Sequence, residues 1–351
     1  MAIDQTKLEA FLNKAVGDLG ATVSAALVVM GDRLGLYKAM AGAGPLTAVE
    51  LAEKTGTAER YIREWLLNQA ASGIVTYDPS RDRYTLPEEQ ALAFAVEDSP
   101  AFLPGAYQLM LGMVAGEEKV RKHFKDGGGI GYGELHPGVH EGVDRFFRPG
   151  YIANLLPSWI PALEGVQAKL TRGAKVLDVG CGQGTATRIL AEAFPASTFV
   201  GIDPYLPSIE AARAAAKKAG VTRNLRFEEA TSTNFSGTDY DLVACFDCLH
   251  DMVDPIAAAK HIRGSLKSDG TWLIVEPRAG DTVAENLNPV GRVYSACSVL
   301  YCLTTSLSQK GAGLGAQAGE ARIRDVARQG GFSRFRRAAE TPFNLVFEAR
   351  P

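Results

Sequence analysis

The feature that most constrains this chain is one short passage, in which a strand pattern runs through a glycine turn into a helix pattern. Lys175-Val176-Leu177-Asp178-Val179 leads into Gly180-Cys181-Gly182-Gln183-Gly184-Thr185, and helical spacing follows from about Ala186 to Ala193. A strand that ends in a glycine turn and opens a helix brings backbone N–H groups close to a ligand. The next strand pattern, Thr198-Phe199-Val200-Gly201-Ile202, ends in Asp203, nineteen residues after Gly184. A carboxylate there can accept hydrogen bonds from both hydroxyls of a ribose. From Lys175 onward short apolar strands alternate with helices, which predicts an α/β fold: a parallel sheet with helices on both faces.

A dinucleotide fingerprint, Gly-x-Gly-x-x-Gly/Ala, asks for Gly or Ala at position 185, where this chain has Thr185. Its third glycine also falls one place early, which disfavours a nicotinamide oxidoreductase. The run Val176-Leu177-Asp178-Val179-Gly180-Cys181-Gly182-Gln183-Gly184 instead resembles motif I of the class I S-adenosylmethionine-dependent methyltransferases. The resemblance continues in order. Leu225–Glu229 with Ala230-Thr231, Tyr240–Phe246 with Asp247, and Gly270–Pro277 match the family's third to fifth strands. Phe332–Arg336 and Phe343–Ala349 look like its terminal strand pair. The fold it implies is a Rossmann-like seven-stranded methyltransferase sheet with the last strand antiparallel.

More narrowly, Phe246-Asp247-Cys248-Leu249-His250-Asp251-Met252 and Glu285-Asn286-Leu287-Asn288-Pro289 resemble a bacterial subfamily with an N-terminal winged helix. The resemblance implies S-adenosyl-L-methionine as cofactor and S-adenosyl-L-homocysteine as product. Position by position, it implies cofactor binding by Asp178, Gly180, Cys181, Gly182, Gly184, Asp203, Pro204, Ala230, Thr231, Cys245 and Phe246. The glycine loop would hold the methionine and ribose end, Asp203 the ribose, and Ala230-Thr231 the adenine. Cys245, Phe246 and Asp247 would meet the methionine end through backbone groups. Many relatives carry an acid beside the adenine, where this chain has Thr231-Ser232.

The N-terminal part reads as a mostly helical winged-helix domain. Residues 5–42 have helical apolar spacing, and Thr47 with Glu50 forms a capping-box pattern. A further helix follows Thr57, and strands around Pro79-Ser80-Arg81-Asp82 suggest a hairpin. The apolar stretch Leu19–Met30 is twelve residues long, short of the roughly 20 that span a bilayer, and reads as a buried helix. The organisation expected is a winged-helix and dimerisation domain over 1–100, a helical connector and lid over 101–165, and the cofactor domain over 166–351. The connector carries a mobile loop at Gly127-Gly128-Gly129. An apolar, aromatic helical cap is expected at about 281–318, which suits a small and fairly apolar acceptor rather than a nucleic acid strand.

Charge bears on the partners. The first 100 residues hold nine Lys/Arg against fourteen Asp/Glu, and the whole chain is at −3. A DNA-reading module ordinarily shows the opposite sign, so nucleic acid is disfavoured and a homodimer through the N-terminal helices is expected. Met1-Ala2-Ile3-Asp4-Gln5 lacks a signal-peptide pattern, and five cysteines are an odd number for a disulfide framework. Both point to the cytoplasm, without membrane association.

The reaction expected is methyl transfer to a small molecule at a hydroxyl oxygen. In-line displacement gains most from positioning, with help from a general base. His250, just past the fourth strand at the carboxyl edge of the sheet, is the candidate base. The alternative is a structural histidine with Asp251 as its partner. His140 is a weaker candidate and reads as a surface or loop residue. Glu276 either faces the pocket or pairs with Arg278. Cys245-Phe246-Asp247-Cys248 with His250 raises zinc, but no second cysteine pair completes a site, so no metal is expected. Transfer to nitrogen, sulfur or carbon stays open, as does a cofactor-sensing winged-helix transcription regulator.

Overall fold

The computed structural model describes residues 3–351. Its contacts divide the chain into two compact units, one running to Leu111 and taking in Glu141–Pro149, the other made of Gly112–His140 and Gly150–Pro351. The segment 101–165 is therefore shared between the two units.

In the first unit, α1 (Gln5–Arg33), α2 (Leu36–Met40), α3 (Ala48–Thr55) and α4 (Glu59–Ala71) precede a hairpin of β1 (Thr76–Asp78) and β2 (Arg83–Thr85). The capping box of α3 is complete: the Glu50 N–H donates to Thr47 Oγ1 at 3.2 Å, and the Thr47 N–H to Glu50 Oε2 at 2.8 Å. Arg83 reaches from β2 to Glu50 at 2.9 Å, fastening the hairpin to that helix. Leu36, Tyr37, Met40, Leu51, Ile62, Trp65 and Leu66 are among the core residues. Arg145 ties its own segment in through Asp32, Glu97 and Gln108, at 2.8–2.9 Å. On α4, Arg60 and Arg63 pair with Glu64 and Glu59 one turn away.

The stretch Leu19–Met30 is helical but not buried as expected. Leu19 and Val23 are 68% and 69% exposed, and within α1 only Val28 and Gly31 are buried. The apolar run begins before the part of α1 that meets α4 through Ser24 and Leu27, so residues 19–23 stay exposed. At 29 residues, α1 is also long and apolar enough to cross a bilayer, a test that core helices pass as well.

In the second unit, β3 (Lys175–Val179), β4 (Thr198–Asp203), β5 (Leu225–Glu229), β6 (Tyr240–Phe246), β7 (Leu266–Pro277), β8 (Arg334–Glu340) and β9 (Asn344–Arg350) form a seven-stranded sheet. Their order is β5-β4-β3-β6-β7-β9-β8. The strands from β3 to β7 are parallel, and β9 runs antiparallel between β7 and β8. The chain winds outward from β3 to β5, then returns to place β6 on the other side of β3. That reversal opens a crevice at the carboxyl ends of β3 and β6, where open α/β sheets bind ligands.

The glycine segment at 127–129 is docked rather than loose. The Ile130 N–H donates to the Thr304 carbonyl and to Thr304 Oγ1, at 3.1 and 3.0 Å. A Cβ on Gly129 would lie 1.9 Å from that carbonyl oxygen, so glycine permits the close approach. The apolar segment after β7 is helical over Pro289–Cys297 and Leu303–Ser308, joined by a π turn at Ser298–Cys302.

Candidate active site

The site is built on the ends of β3, β4, β6 and β7. Gly180 and Gly184 have φ of +76° and +75°, conformations that favour glycine. Packing adds a second reason at both positions. A Cβ on Gly184 would lie 2.4 Å from the Phe227 ring, and one on Gly180 would lie 2.8 Å from Cys248 Sγ. The N–H groups of Gly180 and Cys181 donate to the Ile202 carbonyl at 2.8 and 2.9 Å, fixing the turn against β4. Helix Thr185–Ala193 starts from this turn.

Two carboxylates flank the loop. Asp178 is buried beneath it: Thr187 Oγ1 donates to Oδ2 at 2.6 Å, while Oδ1 has no partner. Burial pushes its pKa to about 7, against the Thr187 hydrogen bond and with added repulsion from Asp203. Asp203 Oδ2 accepts from the Gly182 N–H at 3.1 Å, and Oδ1 from the Tyr205 N–H at 2.9 Å. Burial raises its pKa, and these two N–H groups oppose the shift. Each oxygen keeps capacity for a further donor. Pro204 is exposed beside it. The Ala230 N–H donates to the Asp203 carbonyl at 3.2 Å. Thr231 is exposed, and its N–H is capped by Asn234 Oδ1 at 2.8 Å.

At the end of β6, Cys245 turns into the core, where its Sγ accepts from Trp272 Nε1 at 3.4 Å. Phe246 faces Tyr151 and Trp159, with ring centroids 5.6 and 6.4 Å away. Cys248 Sγ is 3.0 Å from the Val179 carbonyl. Asp247 has a φ of +50°, and its Oδ1 accepts from Asn344 Nδ2 at 2.8 Å. Its buried Oδ2 has no partner, and burial followed by the charge of Glu276 raises its pKa strongly.

His250 is fully enclosed. Its Nδ1 lies 2.6 Å from Glu276 Oε2, and its Nε2 is 3.1 Å from Asp251 Oδ1. Glu276 Oε1 also accepts the Leu249 N–H at 3.1 Å, so the carboxylate is aimed from two sides. Burial disfavours the imidazolium, but the charges of Asp251 and Glu276 outweigh it and hold the pKa well above the usual histidine value. Glu276 thus faces His250 rather than Arg278, whose guanidinium is 3.7 Å from Glu340. Cys302, from the π turn, joins His250 and Asp251, with ligand atoms of the three within 4.8 Å of one another.

Sequence reasoning did not find Cys302 or Asn344. Both come from segments far along the chain, and no local pattern marks either. His140, read as a surface or loop residue, stacks on Tyr205 at 5.0 Å with both ring nitrogens buried and without partners.

The comparisons with known proteins follow the same division. Residues 170–320 match a family model described as "Methyltransferase domain", and residues 22–95 one described as "Rv2258c-like winged HTH domain". A ubiquinone biosynthesis O-methyltransferase from Actinobacillus pleuropneumoniae serotype 5b (strain L20) is 29% identical over 133 residues. That match covers 35% of this chain and 53% of the relative, so the chain spans about half the length of the curated relative it matches. Two solved structures share the fold over nearly full length. Mitomycin 7-O-methyltransferase MmcR is 18% identical with a TM-score of 0.71, covering 99% of this chain and 100% of that one. Human N-acetylserotonin methyltransferase in complex with SAM is 15% identical with a TM-score of 0.70, covering 99% and 98%. Residues 170–320 thus form a methyltransferase domain, on a fold shared with solved methyltransferases, and the chain joins it to an N-terminal Rv2258c-like winged HTH domain.

Proposed function

We propose that the protein transfers a methyl group from S-adenosylmethionine to a hydroxyl oxygen of a small, fairly apolar molecule. The carrying observation is the glycine cradle at 180–184 facing Asp203, beside a histidine whose ring is held by a carboxylate. The residues present fit the cofactor. Asp178 has a buried, unpartnered Oδ1 under the loop, and each Asp203 oxygen can take one more donor. A side chain at Gly180 or Gly184 would strike Cys248 or Phe227, so these glycines set the shape of the loop, while Gly182 borders open space. Asp178, Gly180, Cys181, Gly182 and Gly184 would hold the amino-acid and ribose end, and Asp203 with Pro204 the ribose. Ala230 and Thr231 would border the adenine, and Cys245 and Phe246 the methionine end.

Bound there, the cofactor supplies an electrophilic methyl group on a sulfonium. The chain's part is to orient the acceptor and move its proton. Glu276 engages Nδ1 of His250 and fixes the ring, which leaves Nε2 to take the hydroxyl proton. An acceptor reaches Nε2 by displacing the Asp251 carboxylate. Because His250 is held cationic by its two carboxylate neighbours, its basic form grows as pH rises.

The apolar face of α1 supports a homodimer through the N-terminal unit. Phe11, Val16, Leu19 and Val23 are 65–69% exposed along it, and apolar patches of this kind mark interaction surfaces. The cysteines are held as thiols, which supports a reducing compartment, the cytoplasm. The test is S-adenosylhomocysteine release across phenols, carboxylic acids, amines and thiols. Turnover on phenols alone is expected. Turnover confined to amines or thiols overturns the oxygen reading.

A further inference from the structure

Outside the glycine loop and the His250 cluster, one group of side chains has no role in the reaction described. Tyr132, His140, Tyr205 and Tyr301 pack as an aromatic cluster in the second unit. The Tyr132 ring meets His140 edge-on at 4.8 Å, Tyr205 edge-on at 5.0 Å, and Tyr301 at 6.0 Å. His140 stacks flat on Tyr205 at 5.0 Å. The Tyr132 hydroxyl has partners of its own in Ser208 and Tyr301. His140 differs, because both its ring nitrogens are buried and neither has a partner. Leaving a buried donor and acceptor unmade is destabilising. A phenylalanine would pack in the same place without that cost.

The backbone and the ring of His140 are both tied to elements beside the glycine loop. Its carbonyl accepts from Gln183 Nε2 at 2.8 Å, so it is tethered to the glycine loop. Its ring lies on Tyr205, whose N–H caps Asp203 Oδ1. His140 therefore joins the two elements that bracket the cofactor crevice, the loop after β3 and the turn after β4. Burial lowers its pKa, so at neutral pH the ring carries one donor and one acceptor. A hydroxyl has the same pair, whereas a carboxylate only accepts and an ammonium group only donates. Asp203 can receive hydroxyl protons but cannot donate to a hydroxyl oxygen.

We propose that His140 is a cofactor-binding residue that hydrogen-bonds a ribose hydroxyl and works with Asp203 to hold the ribose diol. This rests on the methyltransferase reading above and adds a second anchor for the ribose. The aromatic cluster fixes the ring plane, and the Gln183 contact holds the His140 backbone to the loop.

The experiment is calorimetric titration of the full chain with S-adenosylhomocysteine and with its 2′-deoxy and 3′-deoxy analogues. His140→Phe keeps the flat packing on Tyr205 and removes both nitrogens. It is expected to weaken S-adenosylhomocysteine binding at least tenfold, with a thermal midpoint of the cofactor-free protein no lower than the parent's. His140→Gln, which restores a donor and an acceptor, is expected to recover at least a third of the affinity. One deoxy analogue should lose affinity on the parent protein and lose no more on His140→Phe. Binding of S-adenosylhomocysteine by His140→Phe within twofold of the parent overturns the proposal and leaves the methyltransferase reading standing. No binding by the parent protein overturns both.

Discussion

Glu276 Oε2 and His250 Nδ1 lie 2.6 Å apart in a buried pair, although 26 residues separate them in the chain. The carboxylate end of one strand thereby orients a ring carried just beyond its neighbour, leaving the far nitrogen 3.1 Å from Asp251 Oδ1. Once the ring has lost its proton, a histidine held in this way has one lone pair to offer and one orientation in which to offer it.

If His250 is the base, His250→Gln should lower turnover on a hydroxyl acceptor by about 10²-fold or more. Its affinity for S-adenosylhomocysteine should stay within about threefold. Equal turnover would assign the ring a structural role. Because its pKa lies above the usual histidine value, the parent rate should climb with pH beyond the range where histidine ordinarily titrates. Glu276→Gln removes one of the charges that raise it, so the rising limb should move to lower pH while kcat falls. A pH–rate series on the two proteins checks this directly.

Asp203→Ala should weaken S-adenosylhomocysteine binding at least tenfold, about 1.4 kcal/mol. The loop N–H of Gly182 loses its acceptor in the same variant, so a circular dichroism spectrum should accompany the titration. Unchanged affinity would remove Asp203 from the ribose.

Asp178 bears on stability through pH. Its folded pKa, about 7, stands above its ordinary value of 3.8, so the folded chain binds the extra proton between those limits. Stability contributed at this site therefore falls as pH rises from about 4 to 7. Asp178→Asn has no proton to lose. Relative to the parent, it should gain thermal midpoint between pH 5 and pH 8. A difference that is flat over that range would place the Asp178 pKa outside it.

Gly184→Ala combines a left-handed φ with a Cβ 2.4 Å from Phe227. Strain of about 1–2 kcal/mol from the backbone and about 1–3 from overpacking should show as a lower denaturation midpoint. Cofactor affinity should fall with it, since the same turn carries the loop. A variant as stable as the parent would mean that the Phe227 ring can move aside.

For assembly, Leu19→Glu combined with Val23→Glu puts charge on the exposed face of α1 without touching Val28, its buried anchor. Light scattering should report a dimer for the parent chain and a monomer for the variant. A monomeric parent would refute the dimer.

The β3–turn–helix passage and Asp203 could be read directly, because the interactions that build them are local. Hydrogen bonds from residues 180 and 181 to 202, and from 182 to 203, tie together segments only about twenty residues apart. The capping box at Thr47 and Glu50 is nearer still. Apolarity alone misled at Leu19–Met30. An apolar run shows that a helix wants a partner, but not that its own chain provides one.

The sequence by itself determined the glycine turn, the acid at the end of β4, and the alternation that builds the sheet. Each depends on a residue's own backbone preference or on neighbours within a turn or two. Only the tertiary structure decided that Glu276 meets His250, that Asn344 meets Asp247 from 97 residues away, and that His140 stacks on Tyr205. Those pairings follow from strand order and from how the 112–140 segment packs. Side chains that meet through such long-range packing have no spacing rule to announce them.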